Sequence, residues 1–141
     1  MDHPESGWMS MKPTSSSEDT KVLIVEGKTD RDRLLRVLDE PVDIVCTYGS
    51  LSYEKMESLL SLAHHDEVYI LVDADYSGNR LRTELKHELP NAVHLYTQRR
   101  YREVAATPLP YLARILKNAN FKVDTRFLSE EELHPLFRGN R

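Results

Sequence analysis

The feature that most constrains this chain is an apolar run that ends in two aspartates. Residues 69–72 read Tyr-Ile-Leu-Val, which predicts a strand buried on both faces of a sheet. Asp73 and Asp75 follow, and a Ser-Gly turn at Gly78 leads into a helix. Two carboxylates on one side of an extended chain repel each other unless a cation lies between them, and hard oxygen ligands suit Mg²⁺ or Mn²⁺. The structural alternative is that Asp75 caps the helix and Asp73 hydrogen-bonds a neighbouring loop.

A second apolar run, over residues 22–25, also ends in charged residues. Glu26 closes this strand, and Gly27 is expected to let the backbone turn sharply. Thr29 or Asp30 is expected to cap the helix that follows. Because ligands of open α/β sheets bind at the edge where parallel strands end, Glu26 is expected beside the two aspartates. There it would act as a general base or acid, or as a further metal ligand.

The rest of the pattern alternates strands with helices. Apolar runs at residues 42–47 and 93–97 predict two more strands, and Gly49 is expected in the turn after the first of them. This alternation predicts an α/β fold, an open and mainly parallel sheet flanked by helices on both faces. A last strand is expected at residues 121–127, and Ser129 begins a capping box for a short final helix.

Composition separates the chain into three parts. Residues 1–20 contain proline and serine without periodicity and predict a disordered leader. Residues 21–128 are expected to form one domain, and residues 129–141 a short helix and tail. The formal net charge of the 141 residues is −4, so a nucleic acid partner must be bound by a local basic patch.

Cysteine use and hydropathy limit the compartment. Cys46 is the only cysteine and lies in an apolar run, which predicts a buried structural thiol. No stretch has the length of a membrane helix, and the N-terminus lacks the apolar core of a signal peptide. A cytoplasmic protein without a membrane partner is therefore expected.

A basic segment follows the predicted fourth strand and contains Arg99, Arg100 and Arg102. A solvated loop is the commoner meaning of such a charge run. Its position at the same edge as the acids favours instead a loop that binds phosphates, because arginine binds phosphate through two hydrogen bonds. Tyr101 would stack on a base, and Arg80 and Arg82 would add to the basic patch.

Three motifs, in order, resemble those of the Toprim domain: Val-Glu-Gly-Lys-Thr-Asp at 25–30, Thr-Tyr-Gly-Ser at 47–50 and Asp-Ala-Asp-Tyr-Ser-Gly at 73–78. That domain is shared by topoisomerases, bacterial primases, old-type nucleases and the ribonuclease that matures 5S ribosomal RNA. Of these, the motifs of the ribonuclease are the most similar to the motifs of this chain. The resemblance spans about residues 21–128 and implies a Rossmann-like layering. It implies that Glu26 is the acid/base and that Asp73 and Asp75 bind Mg²⁺ or Mn²⁺. Several members carry a third acid where this chain has Ser77.

Two functions fit these observations. The first is Mg²⁺-dependent, nuclease-like chemistry on RNA or DNA, with Glu26 moving the proton, Asp73 and Asp75 holding metal, and Lys28 reaching the phosphate. The second is a non-catalytic module in which the same acids and metal bind nucleic acid or a partner enzyme. The intact motif set favours the enzyme, whereas the lack of added domains favours the module.

Overall fold

The computed structural model describes residues 9–11, 20–63 and 67–133. Within these ranges the chain forms five strands: β1 (Met9–Met11), β2 (Lys21–Val25), β3 (Val42–Cys46), β4 (Glu67–Leu71) and β5 (Val93–Leu95). It also forms five α-helices: α1 (Lys28–Val37), α2 (Tyr53–Ala63), α3 (Tyr76–Glu88), α4 (Leu109–Asn118) and α5 (Glu130–Leu133). None of the helices in the described ranges is long and apolar enough to span a bilayer.

The strands form one sheet in the order β1-β3-β2-β4-β5. Strands β3, β2, β4 and β5 run parallel to one another, and β1 runs antiparallel to β3. In register, Val25 lies opposite Cys46, and Ile24 lies opposite Ile70. The carboxyl ends of the three central strands therefore meet at one edge, which is the arrangement that the alternating sequence pattern predicts.

Helices cover both faces of the sheet, as predicted. On one face, α1 and α4 pack against the strands through fully buried leucines: Leu34, Leu112 and Leu116. On the other face, α2 and α3 contribute a second set: Leu59, Leu81 and Leu85. Each fully buried leucine contributes about 1.5–3 kcal/mol through the area it removes from water. Strands β2 and β3, which lie between these layers, are the most buried part of the chain.

Two parts of the chain differ from the predicted pattern. Met9–Met11 pair with β3, so the expected disorder is wrong for these residues, while residues 1–8 and 12–19 lie outside the described ranges. An edge strand offers unpaired backbone groups, and pairing with them requires no apolar periodicity. The strand expected at 121–127 is also wrong, because this segment makes one isolated bridge, between Leu38 and Val123, and ends in a 3₁₀ turn. Its apolar alternation comes from Phe121 and Val123, which pack into the α1 and α4 side of the core.

The predicted capping box at Ser129 is confirmed. The Glu132 backbone N–H donates to the Ser129 hydroxyl at 3.2 Å, and the Ser129 N–H donates to the Glu132 carboxylate at 2.8 Å. Arg114 on α4 pairs with the same carboxylate at 2.7 Å, which ties α5 to the domain. Residues 134–141 of the expected tail lie outside the described ranges.

Candidate metal and nucleic-acid site

Glu26 and Asp73 are held together at the ends of neighbouring strands. Strand β2 ends at Val25 and β4 at Leu71, so both residues leave the sheet at the same edge. The Glu26 carboxylate accepts a hydrogen bond from the Asp73 backbone N–H at 2.8 Å. Their predicted proximity is therefore observed, and it depends on main-chain contact as well as on sheet register.

Asp30 completes the cluster, although the sequence pattern predicts for it only a role as a helix cap. It lies in the first turn of α1, is 7% exposed, and accepts a hydrogen bond from the Gly27 N–H at 3.1 Å. One carboxylate oxygen from each of Glu26, Asp30 and Asp73 lies within 4.8 Å of the other two. One sequence feature indicates that Asp30 could join the cluster. It follows Glu26 by four residues, about one helical turn beyond the end of the strand.

The cluster has unusual electrostatics. Burial, together with the charges of Asp73, Asp75 and Asp30, raises the pKa of Glu26 to about 7, against the hydrogen bond from the Asp73 N–H. Burial and the charge of Asp73 raise the pKa of Asp30 to about 6. Neutralisation by a proton or by a cation is therefore favoured at this position. The donor set of carboxylate oxygens alone fits a hard divalent ion such as Mg²⁺ or Mn²⁺.

The Asp-x-Asp pair also has the local hydrogen bonds of the structural alternative. Asp75 caps α3, where one of its oxygens accepts from the Gly78 N–H at 2.7 Å. One Asp73 oxygen accepts from the Val104 N–H at 2.8 Å. Asp73 lies in the Glu26–Asp30–Asp73 cluster. Asp75 lies outside that group but close enough for its charge to raise the pKa of Glu26. Each carboxylate therefore combines a structural bond with proximity to the site.

The three glycines expected in turns have different roles. Gly78 lies inside the first turn of α3, where an added Cβ would collide with the Asp73 backbone carbonyl, so the helix start packs directly on the Asp73 main chain. Gly49 has φ +85° and makes the expected turn. Gly27 has φ −145°, an extended backbone that any residue adopts, and an added Cβ there would meet nothing within 4 Å.

The basic loop is attached to the aspartate turn. The Ala74 N–H donates to the Arg102 carbonyl at 2.6 Å, and the Arg102 guanidinium donates to the Ala74 carbonyl at 3.2 Å. Arg99 and Arg100 are exposed in the same loop. Tyr101 is half-buried and packs edge-on against Tyr111 of α4, 5.3 Å between ring centroids, so it anchors the loop. The predicted basic segment is thus placed beside the acids.

The other predicted cations divide into two groups. Lys28 and Arg80 are exposed near the starts of α1 and α3, the helices that follow Glu26 and Asp75 in the chain. Arg82 is 5% exposed, and its guanidinium donates to the Leu95 carbonyl at 2.7 Å and to the Val72 carbonyl. Its expected part in the basic patch is therefore wrong, since its hydrogen bonds join α3 to the ends of two strands. Cys46 is buried as predicted, and burial raises the pKa of its thiol.

Comparisons with known proteins show which family and fold this chain resembles. The Toprim domain family matches residues 21–105. The uncharacterized protein YusF of Bacillus subtilis (strain 168) is 47% identical over 111 residues, which cover 79% of this chain and 76% of that protein. The structure of a small TOPRIM domain protein from Bacillus stearothermophilus has a TM-score of 0.73 and 44% identity, over 77% of this chain and 92% of that one. Ribonuclease M5 of Mycoplasma genitalium is 33% identical over 76 residues, which cover 53% of this chain but 42% of the ribonuclease.

Proposed function

The chain belongs to the Toprim domain family, and on that basis we propose that it carries out Mg²⁺- or Mn²⁺-dependent phosphodiester chemistry on nucleic acid. The observation that carries the proposal is the convergence of Glu26, Asp30 and Asp73, whose oxygens lie within 4.8 Å of one another. RNA is the proposed substrate class, because several relatives are ribonucleases by name. The chain spans about two fifths of the length of those ribonucleases, so their full activity is not carried over.

The acids are proposed to divide into metal ligands and a proton carrier. Asp73 and Asp30 would hold the divalent ion, and Asp75 would join them through the oxygen that does not cap α3. A bound Mg²⁺ or Mn²⁺ would neutralise the scissile phosphate and lower the pKa of attacking water. Glu26 would accept the proton of the nucleophile or donate one to the leaving oxygen, because its carboxylate lies beside Asp73 at the edge of the sheet where the metal would bind.

The cations are proposed to position the substrate. Arg102 lies against the Asp73–Asp75 turn through the Ala74 carbonyl, and Arg99 and Arg100 extend from the same loop. Guanidinium groups bind phosphates through paired hydrogen bonds, so this loop would hold phosphates next to the scissile one. Lys28 and Arg80, exposed near the starts of α1 and α3, would contact further phosphates of the strand.

A second function has its own support. Asp73 and Asp75 each use one oxygen in a local backbone hydrogen bond, and such bonds also suit a site that only binds. The match covers 42% of the length of the Mycoplasma genitalium ribonuclease, so the activity of that whole enzyme is not carried over to this chain. The alternative is a non-catalytic module that binds nucleic acid or a partner enzyme with the help of metal.

A cleavage assay separates the two functions. End-labelled RNA and DNA, single- and double-stranded, are incubated with the protein in Mg²⁺, in Mn²⁺ or in EDTA. The enzyme predicts metal-dependent cleavage that Asp73→Asn abolishes and that Glu26→Gln lowers at least ~10²-fold. Asp32→Asn is the matched control, because Asp32 is an exposed carboxylate on α1 outside the cluster. Metal-strengthened binding without cleavage indicates the module, and the absence of both results contradicts the whole proposal.

A further inference from the structure

Exposed tyrosines are concentrated at the edge of the sheet that carries the acids. The chain has seven tyrosines, all within the described ranges. Tyr69, Tyr101 and Tyr111 are buried or half-buried. The four that are more than half exposed share one location, after the carboxyl end of a parallel strand or in the first turn of the next helix: Tyr48, Tyr53, Tyr76 and Tyr96. This distribution is not expected of tyrosines scattered over a surface at random.

Tyr53 and Tyr76 are the two most open of these side chains. They are the first residues of α2 and α3 and are 78% and 80% exposed. Within the described ranges, neither ring packs against another aromatic ring or lies under a cation. Strands β3 and β4, which precede them, flank β2, so the two rings follow strands on opposite sides of Glu26. Tyr76 also directly follows Asp75, the cap of α3.

Tyr48 and Tyr96 are held more firmly at the same edge. Lys55 lies 5.5 Å from the centroid of the Tyr48 ring, and the Arg82 guanidinium lies 4.2 Å from that of Tyr96. Tyr48 has φ +56°, a left-handed backbone that is strained for a tyrosine and would be free of strain for a glycine. The chain thus places a large aromatic ring beside Gly49 at the cost of local backbone energy.

The mixture of groups at this edge fits one class of ligand. The exposed rings share this edge of the sheet with exposed cations of the basic loop, Arg99 and Arg100, and with the acid cluster. Aromatic rings beside arginines and lysines bind single-stranded nucleic acid, because unpaired bases stack on the rings while the cations contact phosphates. A duplex covers the faces of its bases by its own stacking, so it offers the rings no equivalent surface.

We propose that Tyr53 and Tyr76, with Tyr48 and Tyr96 beside them, stack on unpaired bases of a single-stranded segment and place its phosphates at the Glu26–Asp30–Asp73 cluster. This inference rests on the function proposed above and narrows its substrate to unpaired strands. RNA and DNA share the chemistry of an exposed base face, so both sugars are tested.

The test compares ring-deleting with ring-conserving variants. Tyr53→Ala/Tyr76→Ala is compared with Tyr53→Phe/Tyr76→Phe and with wild type, and thermal melts verify that all three fold. The probes are labelled strands of about twelve nucleotides, a length within the range one binding surface covers: oligo(U), oligo(dT), an abasic strand of the same charge, and a duplex. Binding is followed by fluorescence anisotropy first in EDTA, so that cleavage cannot interfere, and then with Mn²⁺.

The expected results separate stacking from charge. Loss of one stacked ring weakens binding by about tenfold, so the double alanine variant should bind oligo(U) or oligo(dT) ~10²-fold more weakly. The phenylalanine variant should bind like wild type, and the abasic strand should bind all three proteins equally. The salt dependence should not change, because no charge is removed.

Four results would overturn the inference. One is equal affinity of the alanine variant and wild type for both single strands, and another is a wild-type preference for the duplex. If wild type cleaves RNA or DNA in the presence of metal and the alanine variant does so equally well, the inference fails while the proposed function stands. If wild type binds none of the probes with or without Mn²⁺ and cleaves none, both fail.

Discussion

The Glu26 carboxylate accepts a hydrogen bond from the backbone N–H of Asp73 across 47 residues of sequence, at 2.8 Å. The bond joins a side chain at the end of β2 to the main chain at the end of β4. A second bond, from the Tyr48 N–H to the Glu26 carbonyl, joins the same residue to the turn after β3. Glu26 therefore links the ends of β2, β3 and β4. Its substitution removes both the side-chain bond to Asp73 and the proposed proton carrier.

The first prediction concerns pH in metal-free protein. Folding raises the pKa of Glu26 from 4.5 to about 7, so the folded state binds more protons than the unfolded state between these values. The free energy of unfolding should therefore fall as pH rises from about 4.5 to 7. Glu26→Gln keeps an acceptor for the Asp73 N–H and cannot ionise, so its decline should be shallower. Denaturant unfolding in EDTA at a series of pH values measures both slopes, and identical slopes would contradict the assignment.

The second prediction concerns metal. An ion that binds only the folded state stabilises it in proportion to the logarithm of its concentration, so Mn²⁺ should raise the Tm of wild type near neutral pH. Asp73→Asn and Asp30→Asn should each reduce that rise, because both residues belong to the cluster. Asp32→Asn should not reduce it. Melts over a Mn²⁺ titration give the comparison, and an unchanged rise in Asp30→Asn would remove Asp30 from the site.

The third prediction uses two glycines with opposite surroundings. Gly78→Ala should destabilise the fold by about 1–3 kcal/mol, because the new Cβ collides with the Asp73 carbonyl and must push α3 outwards. Gly27→Ala should cost less than Gly78→Ala, because open space surrounds its extended backbone and only the preference for glycine over alanine at the N-cap of α1 is lost. Urea unfolding measures both. A Gly78→Ala protein as stable as wild type would mean that α3 does not pack on Asp73 as described.

Much of the arrangement of strands and acids at this edge of the sheet can be predicted from the sequence. The apolar runs that end at Glu26 and Asp73 predicted parallel strands with acids at one edge, because local composition and strand order determine those features. The sequence pattern does not predict the place of Asp30 in the acid cluster or the burial of Arg82, because both depend on tertiary contacts. The Asp30 carboxylate meets Asp73 only after β2 and β4 pair, and Arg82 finds its carbonyl partners only when α3 packs on the sheet. Neither of these tertiary contacts can be predicted from the local sequence pattern.

The fourth prediction separates the two roles of Asp75. Asp75→Ala removes the cap of α3 and should cost about 1 kcal/mol. Asparagine caps a helix as well as aspartate, so Asp75→Asn should keep the Gly78 bond. It also removes a charge that raises the pKa of Glu26 and should stabilise the metal-free protein near neutral pH. Unfolding of both variants in EDTA, followed by Mn²⁺ titration, tests the cap and the proposed ligand role separately.

The fifth prediction concerns the basic loop. Replacing Arg99, Arg100 and Arg102 with alanine should weaken nucleic-acid binding and flatten its salt dependence, because each phosphate contact releases counterions. The control removes three exposed cations at the opposite end of the sheet: Arg36, Lys86 and Lys122. It changes net charge equally and should alter binding much less. Equal salt slopes in the loop variant and wild type would mean that the loop is only a solvated surface.

The packing of α4 on α1 extends the domain beyond the family match, which ends at residue 105. Leu112 and Leu116 are fully buried against the sheet, and Phe121 packs edge-on against Tyr69 of β4 at 4.7 Å. A fragment of residues 21–105 would expose to water the part of this face that α4 and Phe121 cover, although α1 would still cover the rest. The smallest autonomous piece of this chain therefore includes α4 and the segment to Val123, and a shorter fragment should aggregate on expression. The family match ends at residue 105, and the boundary of independent folding is expected nearly twenty residues farther on, at Val123.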